Sequence, residues 1–172
     1  MVFSGHIAGL GTASGLRAVV GVWAQSPFGP FADVMVELAS GRRILLAPNA
    51  EVADFIGSTY GFDQTRLVPL TASLDAGSDA ENLVVEAGPL RIRAVVGARS
   101  ALGYAAALLP RNLAVHPCWL RAISPVAARL SPGVQTAGSA RDARQEFYGV
   151  TDVRRIDSAM VSWDGHDVGG LA

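Results

Sequence analysis

Glu146, Tyr148, Asp152 and Arg154 lie at even spacing, so on a β-strand all four side chains would share one face. A carboxylate, a phenol and a guanidinium together can bind or polarise a small substrate. Glu146 and Tyr148 are therefore candidate catalytic residues. The same pattern is typical of a solvated sheet face. Residues 139–149 also fit two structures, a strand or a helix that begins at a capping box.

His116 precedes Cys118 by two residues, which places a possible general base close to a thiol. Pro117 lies between them and disfavours a geometry in which both side chains point together. The pattern favours a buried cysteine, and His116 stays a weak candidate for catalysis. The three histidines show no spacing that would bring two imidazoles onto one helix or strand face. We therefore predict no metal site.

All 14 basic residues are arginine, and the chain has no lysine. This excludes a Schiff-base mechanism, an anchored pyridoxal phosphate and the lysine of a phosphate-binding P-loop. The net charge of −1 argues against a nucleic-acid partner or a polybasic membrane patch. A single cysteine excludes an intramolecular disulfide, and we see no signal peptide or membrane-spanning run. We expect a cytoplasmic protein without a cofactor.

The glycines of residues 9–15 resemble a dinucleotide-binding loop, whose mechanism needs a helix immediately after it. Here the next segment is RAVVGVWA, residues 17–24, which is a nearly continuous apolar run typical of a buried strand. We therefore interpret residues 9–15 as a glycine-rich hairpin loop.

Short apolar runs separated by glycine turns dominate the rest of the chain. They predict a hairpin over residues 33–47, a strand over 66–74 and a second hairpin across Gly88-Pro89. Asn49 is a good N-cap for a helix over 50–60, and Gly61 is placed to end it. Over residues 134–163 we expect strands, and over residues 164–170 a turn followed by a loose end.

Residues 100–130 are rich in alanine and leucine, which favours helix, but three prolines divide the segment. We expect these broken helices to cover the sheet. The predicted fold is a single α+β domain over residues 1–172, predominantly antiparallel β. Its strands would form a strongly curved sheet or partly open barrel with a few short helices.

The segments FADVMVELASGRRILLAP, EVADFIGSTYGFD, EFYGVTD and DVGGLA resemble conserved hypothetical proteins of GC-rich bacteria. No biochemical activity is known to us for that family, so the resemblance implies no site residue. Some decarboxylase-like proteins are curved β-barrels of similar composition. Their Schiff-base lysine has no counterpart in this chain.

Half of the residues are apolar. Together with the broken helices, this favours a protein that binds a small apolar molecule between the sheet and residues 100–130. Its aromatic ligand-binding candidates are Trp23, Tyr60, Trp119 and Tyr148. Two alternatives stay open. The first is a homo-oligomeric interaction module. The second is an enzyme that acts on a small substrate and uses neither lysine nor metal.

Overall fold

The computed structural model describes residues 1–76, 81–107 and 149–172. The chain divides into two compact units. The first unit comprises Met1–Gly97 and Ile156–Ala172, and the second comprises Ala98–Arg155. The fold is mostly β with two short helices, and its strands are mostly antiparallel.

Sheet 1 has five strands in the order of the chain. These strands are β1 (Ser4–Gly11), β2 (Arg17–Gln25), β3 (Phe31–Glu37), β4 (Arg43–Ala47) and β5 (Gln64–Leu67). β1 to β4 form antiparallel hairpins. The loop predicted over residues 9–15 is confirmed as part of the β1–β2 hairpin, but Gly9 and Gly11 lie within strand β1 and only residues 12–16 form the turn. β4 and β5 pair in parallel, and helix α1 (Ala50–Thr59) connects them as a crossover.

Strand β4 reads RILLA because both of its faces are covered. Ile44 and Leu46 belong to the core between the sheets, whereas Leu45 and Ala47 pack with α1. The Asn49 side chain accepts the Val52 backbone N–H at 2.9 Å, which confirms the predicted N-cap.

The predicted glycine end of α1 is wrong. The helix ends at Tyr60, whose backbone is extended and whose N–H donates to the Ile56 carbonyl. Gly61 therefore plays no part as a left-handed cap, because its φ is not positive.

Sheet 2 also has five strands, which are β6 (Leu70–Ala76), β7 (Glu81–Ala87), β8 (Leu90–Arg99), β9 (Arg154–Trp163) and β10 (His166–Asp167). Their order in the sheet is β10-β9-β8-β7-β6. The single strand predicted over 66–74 is wrong, since β5 and β6 lie in different sheets. Pro69 lies between them and has no N–H to donate, so the ladder breaks there and the chain changes sheet.

The two tight turns that the structure describes in sheet 2 follow from local residue chemistry. Gly88 has a φ of 57°, and the following proline restricts the second turn residue, as a type II′ turn requires. Asp164 and Gly165 have φ of 51° and 80°, the two positive values of a type I′ turn. The predicted hairpin across Gly88-Pro89 is confirmed.

The expected loose end after residue 167 is wrong, because the last residues are held against β1. Leu171 bridges to Thr12, and the Ala172 N–H donates to the Gly11 carbonyl at 3.0 Å. Leu171 also packs on the core between the sheets.

One apolar core joins the two sheets, so they pack face to face. Its fully buried side chains include Val20, Val34, Ile44, Leu46, Val85, Leu90 and Ile92. This arrangement corrects the expectation of one strongly curved sheet or partly open barrel. In the described ranges the strands form two open sheets, and neither closes on itself.

In the second unit the structure describes helix α2 (Ala101–Ala107). The Ser100 hydroxyl accepts the Gly103 N–H at 3.1 Å and so caps its first turn. The rest of the predicted broken-helix segment, from residue 108 onward, lies outside the described residues. So do residues 139–148, where strand and helix both fitted the sequence. No helix in the described part of the chain is long and apolar enough to cross a membrane.

Candidate functional site

The outer face of sheet 1, opposite the core between the sheets, carries one buried carboxylate. Phe31, Asp33 and Met35 alternate along β3 on this face, and Gly21 lies directly opposite Asp33 on β2. Asp33 is only 2% exposed. An aspartate is almost never fully buried without a partner, so this position needs a physical account.

Trp23 supplies the one hydrogen bond that the structure shows for this carboxylate. Its indole Nε1–H donates to Asp33 Oδ1 at 2.9 Å. A Cβ at Gly21 would lie 2.5 Å from Asp33 Oδ1 and 2.6 Å from Trp23 Nε1. The pair therefore occupies the space that a side chain at position 21 would need. Glycine is required there for steric reasons.

Burial raises the pKa of Asp33 from its ordinary 3.8 to about 6, and the hydrogen bond from Trp23 opposes this rise. Asp33 Oδ2 has no hydrogen-bond partner among the described residues. A buried acceptor without a donor costs about 1–3 kcal/mol. The site therefore offers an acceptor that a donor group or a proton would satisfy.

Five aromatic rings, including that of Trp23, lie together at one end of this face. We call them the aromatic cluster: Phe3, Trp23, Phe28, Phe31 and Phe55. Phe3 stacks on Phe55 with ring centres 5.3 Å apart and meets Trp23 edge-on at 5.5 Å. Phe28 joins them from the loop between β2 and β3, 5.1 Å from Phe55. The cluster forms an apolar wall beside Asp33.

The other side of Asp33 is bordered by exposed apolar surface. Helix α1 packs mainly on β4 and β5, and part of the outer face of β1 and β2 is exposed. Ile7 is 52% exposed there and Val19 is 40% exposed, while a Cβ at Gly9 would meet nothing within 4 Å. We call Ile7, Gly9 and Val19 the open strip. Asp33 thus lies between an aromatic wall and an exposed apolar floor.

Trp23 and Tyr60 are the two aromatic candidates whose positions the structure describes. Trp23 is the hydrogen-bond donor to Asp33. Tyr60 packs against the small core under α1, together with Phe28 and Phe55 of the aromatic cluster. Trp119, Tyr148, Glu146 and His116 lie outside the described residues, so their predicted roles stay predictions.

Asp152 and Arg154, which the sequence places on one strand face, belong to a group of ion pairs in the second unit. The Arg99 guanidinium binds the Asp152 carboxylate at 2.7 Å and 3.2 Å, and Arg154 approaches the same carboxylate at 3.2 Å. These bonds lower the pKa of Asp152, first through the hydrogen bond from Arg99. Because the three side chains satisfy one another, this group resembles a structural ion pair more than a reactive one.

Asp33 was missed in the sequence because it looked like the polar member of an alternating strand. A signal was nevertheless present, since its neighbours on the same face are Phe31 and Met35, not charged residues. A polar residue within an apolar face indicates burial with a partner. In the described ranges, no group of three metal-ligating side chains comes together.

A concave surface lies between the Gly88-Pro89 turn and the Asp164-Gly165 turn of sheet 2. It has a volume of about 560 Å³ and is lined by Gly88, Pro89, Arg91, Ser162, Asp164 and Gly165. Arg91 and Asp164 bring opposite charges to this open depression. It lacks the buried polar group and the apolar wall that distinguish Asp33.

The chain matches no family model, no curated protein and no solved structure.

Proposed function

We propose that this protein binds a small, largely apolar molecule on the outer face of sheet 1, with Asp33 accepting a hydrogen bond from it. The observation that supports the proposal is the buried Asp33 carboxylate, which lies between the aromatic cluster and the open strip. Its Oδ2 atom has no hydrogen-bond partner among the described residues. Ligand sites are mostly apolar and contain a few placed polar groups, which is the composition found here.

This location differs from the one expected from the sequence, between the sheet and residues 100–130, because residues 108–130 lie outside the described residues. Between the two sheets the structure shows a core of apolar side chains, among which Val20, Val34 and Ile92 are fully buried. The outer face of β1 and β2 instead presents apolar side chains to solvent. The proposed molecule would lie along this open strip, with one end at Asp33.

The chemistry of Asp33 restricts the ligand class. With its pKa at about 6, the carboxylate is mainly ionised at neutral pH and acts only as an acceptor. It favours an apolar molecule with one N–H or O–H donor and disfavours a carboxylic acid or phosphate. The half-buried Trp23 indole lies against Gly21 beside the carboxylate, so it has to shift when a ligand binds.

The test uses N-phenyl-1-naphthylamine, a neutral fluorescent probe that is apolar and carries a single N–H. We expect its emission to rise on binding to the full chain at neutral pH. The matched probe 1-phenylnaphthalene lacks the N–H and should bind about tenfold more weakly, because the hydrogen bond to a charged acceptor is lost.

Asp33→Asn and Val19→Lys are the informative variants. The first replaces the acceptor by an amide and should remove the preference for the N–H probe, and the second places a charge on the open strip and should weaken both probes. Substitution of the exposed, distant Met160 by lysine is the control and should change neither. No binding by the folded wild-type chain, or equal binding of both probes, would contradict the proposal.

A further inference from the structure

Among the described residues, strand β1 forms one end of sheet 1, and β2 is the one strand that pairs with it. Its sequence SGHIAGLG contains no Asp, Glu, Arg or proline. Proteins usually protect an end strand with charges, proline or a covering segment, because its free backbone groups are a template for another strand. β1 lacks the first two of these protections.

The hydrogen bonds at the end of β1 show which residues direct their backbone groups outward. Thr12 N–H donates to the Leu16 carbonyl, across the hairpin, whereas the Gly11 carbonyl accepts from Ala172 on the opposite side. Backbone groups alternate along an antiparallel strand. Gly5, Ile7 and Gly9 therefore direct their N–H and C=O away from β2.

These three residues are spaced evenly about Ile7, and the ladder with β2 is regular from Gly5 onward. Two of the three are glycines, so little side-chain bulk hinders the approach of another backbone. The last residues of the chain already lie antiparallel to β1 at Gly11 and Thr12. They form an isolated antiparallel bridge, and they occupy the Gly11 end of this edge.

We propose that the partner of this edge is β1 of a second copy of the chain, paired antiparallel about a two-fold axis at Ile7. Ile7 then faces Ile7 of the other copy, and Gly5 faces Gly9 in both directions. Each of these pairs exchanges two backbone hydrogen bonds, so all the free outward groups of the three residues are satisfied. The strand has no charged pair to repel, and the surface is self-complementary as a two-fold interface requires.

This dimer places the two exposed Ile7 side chains next to each other on the outer face of sheet 1. It joins sheet 1 of one copy to sheet 1 of the other copy, so that one continuous sheet crosses the axis. Pairing beyond Gly9 is prevented by Ala172, which already uses the Gly11 carbonyl, so the register is fixed. The inference does not depend on ligand binding at Asp33.

Sedimentation velocity of the full chain at about 100 µM tests the proposal directly. We expect a species with twice the chain mass of 17.9 kDa. Residue-resolved hydrogen exchange by NMR provides an internal control. The Gly5, Ile7 and Gly9 amides should become protected as concentration rises, while the inward His6 and Ala8 amides stay protected throughout. A monomer at this concentration, or no concentration dependence at the three amides, would overturn it.

Ile7→Lys and Val19→Lys form a matched pair of variants, since both side chains are exposed on the same face. Ile7→Lys places two like charges directly opposite each other and should weaken dimerisation about tenfold or more. Val19→Lys lies one strand further in and should leave the dimer intact. Equal dimerisation by both variants, each confirmed as folded by circular dichroism, would show that β1 does not form the interface.

Discussion

Asp33 makes the stability of the protein depend on pH in an unusual direction. Most native carboxylates have a lowered pKa and lose their contribution to stability in acid. The pKa of Asp33 changes in the opposite direction, because it is about 6 in the folded chain and near 3.8 when the carboxyl is exposed to water. Between these values the folded protein retains a proton that the unfolded chain has released. The contribution of this residue to the free energy of unfolding therefore falls as pH rises from about 4 to 6.

Asp33→Asn should remove this dependence. A two-unit shift corresponds to about 3 kcal/mol, so the stability of the variant relative to wild type should rise by that amount between pH 3.5 and pH 7.5, each roughly beyond one pKa value. The asparagine can still accept from Trp23, which preserves the geometry at Oδ1. Urea unfolding at a series of pH values measures the difference. Parallel stability curves for the two proteins would show that Asp33 titrates in the folded chain as it does in water.

Gly21 tests the packing of the same pair. Gly21→Ala would force its Cβ against Asp33 and Trp23 and should cost about 1–3 kcal/mol of unfolding free energy. Gly9→Ala is the matched control on the neighbouring strand, where a Cβ meets nothing within 4 Å. It should be neutral or stabilising by up to about 1 kcal/mol. Equal effects of the two changes in chemical denaturation would be inconsistent with the described packing.

The candidate site could be predicted only in part from the sequence. Trp23 was identified as a ligand-binding candidate, but its partner Asp33 was not. Asp33 depends on Trp23 as its hydrogen-bond donor and on a glycine opposite it in β2, and both come from the neighbouring strand. Residue alternation specifies the face on which a side chain lies. It does not specify what covers that face.

Among the elements, α1 was the most predictable because its signals are local. Asn49 caps it, and Val52, Ala53 and Ile56 bury one face. Asn49→Ala should cost about 1 kcal/mol, since the Val52 N–H loses its acceptor. The exposed Asp54→Ala change on the same helix is the control and should remain within about 0.5 kcal/mol of wild type. Thermal unfolding of both variants provides the measurement, and equal losses would contradict the cap assignment.

The hairpins were predictable for the same local reason, whereas the assignment of strands to sheets was not. Residues 66–74 alternate as one strand would, yet the chain leaves sheet 1 at Leu67 and enters sheet 2 at Leu70. Pro69 indicated a break, but the alternation on both sides concealed it. Two stacked sheets and one curved sheet require nearly the same pattern of inward apolar residues. Only the long-range pairing distinguishes them.

At the scale of the whole molecule, the last residues of the chain link the two sheets. Val168 and Leu171 pack on the core between the sheets, and backbone hydrogen bonds connect Ala13 to Gly170 and Ala172 to Gly11. A chain that ends at Asp167 loses these bonds and this partial burial. Its unfolding free energy should therefore fall by about 2–4 kcal/mol.

Deletion of Val2 is the control for this truncation, because Val2 is almost fully exposed and should contribute little. Chemical denaturation compares the two proteins, and hydrogen exchange locates the change. Truncation should speed exchange first at Ala13, whose N–H loses its partner at Gly170. If Ala13 exchanged at the wild-type rate in a destabilised truncation variant, the C-terminal residues would not stabilise the chain through their hydrogen bonds to Gly11 and Ala13. Their role in limiting the free edge of β1 would then be excluded as well.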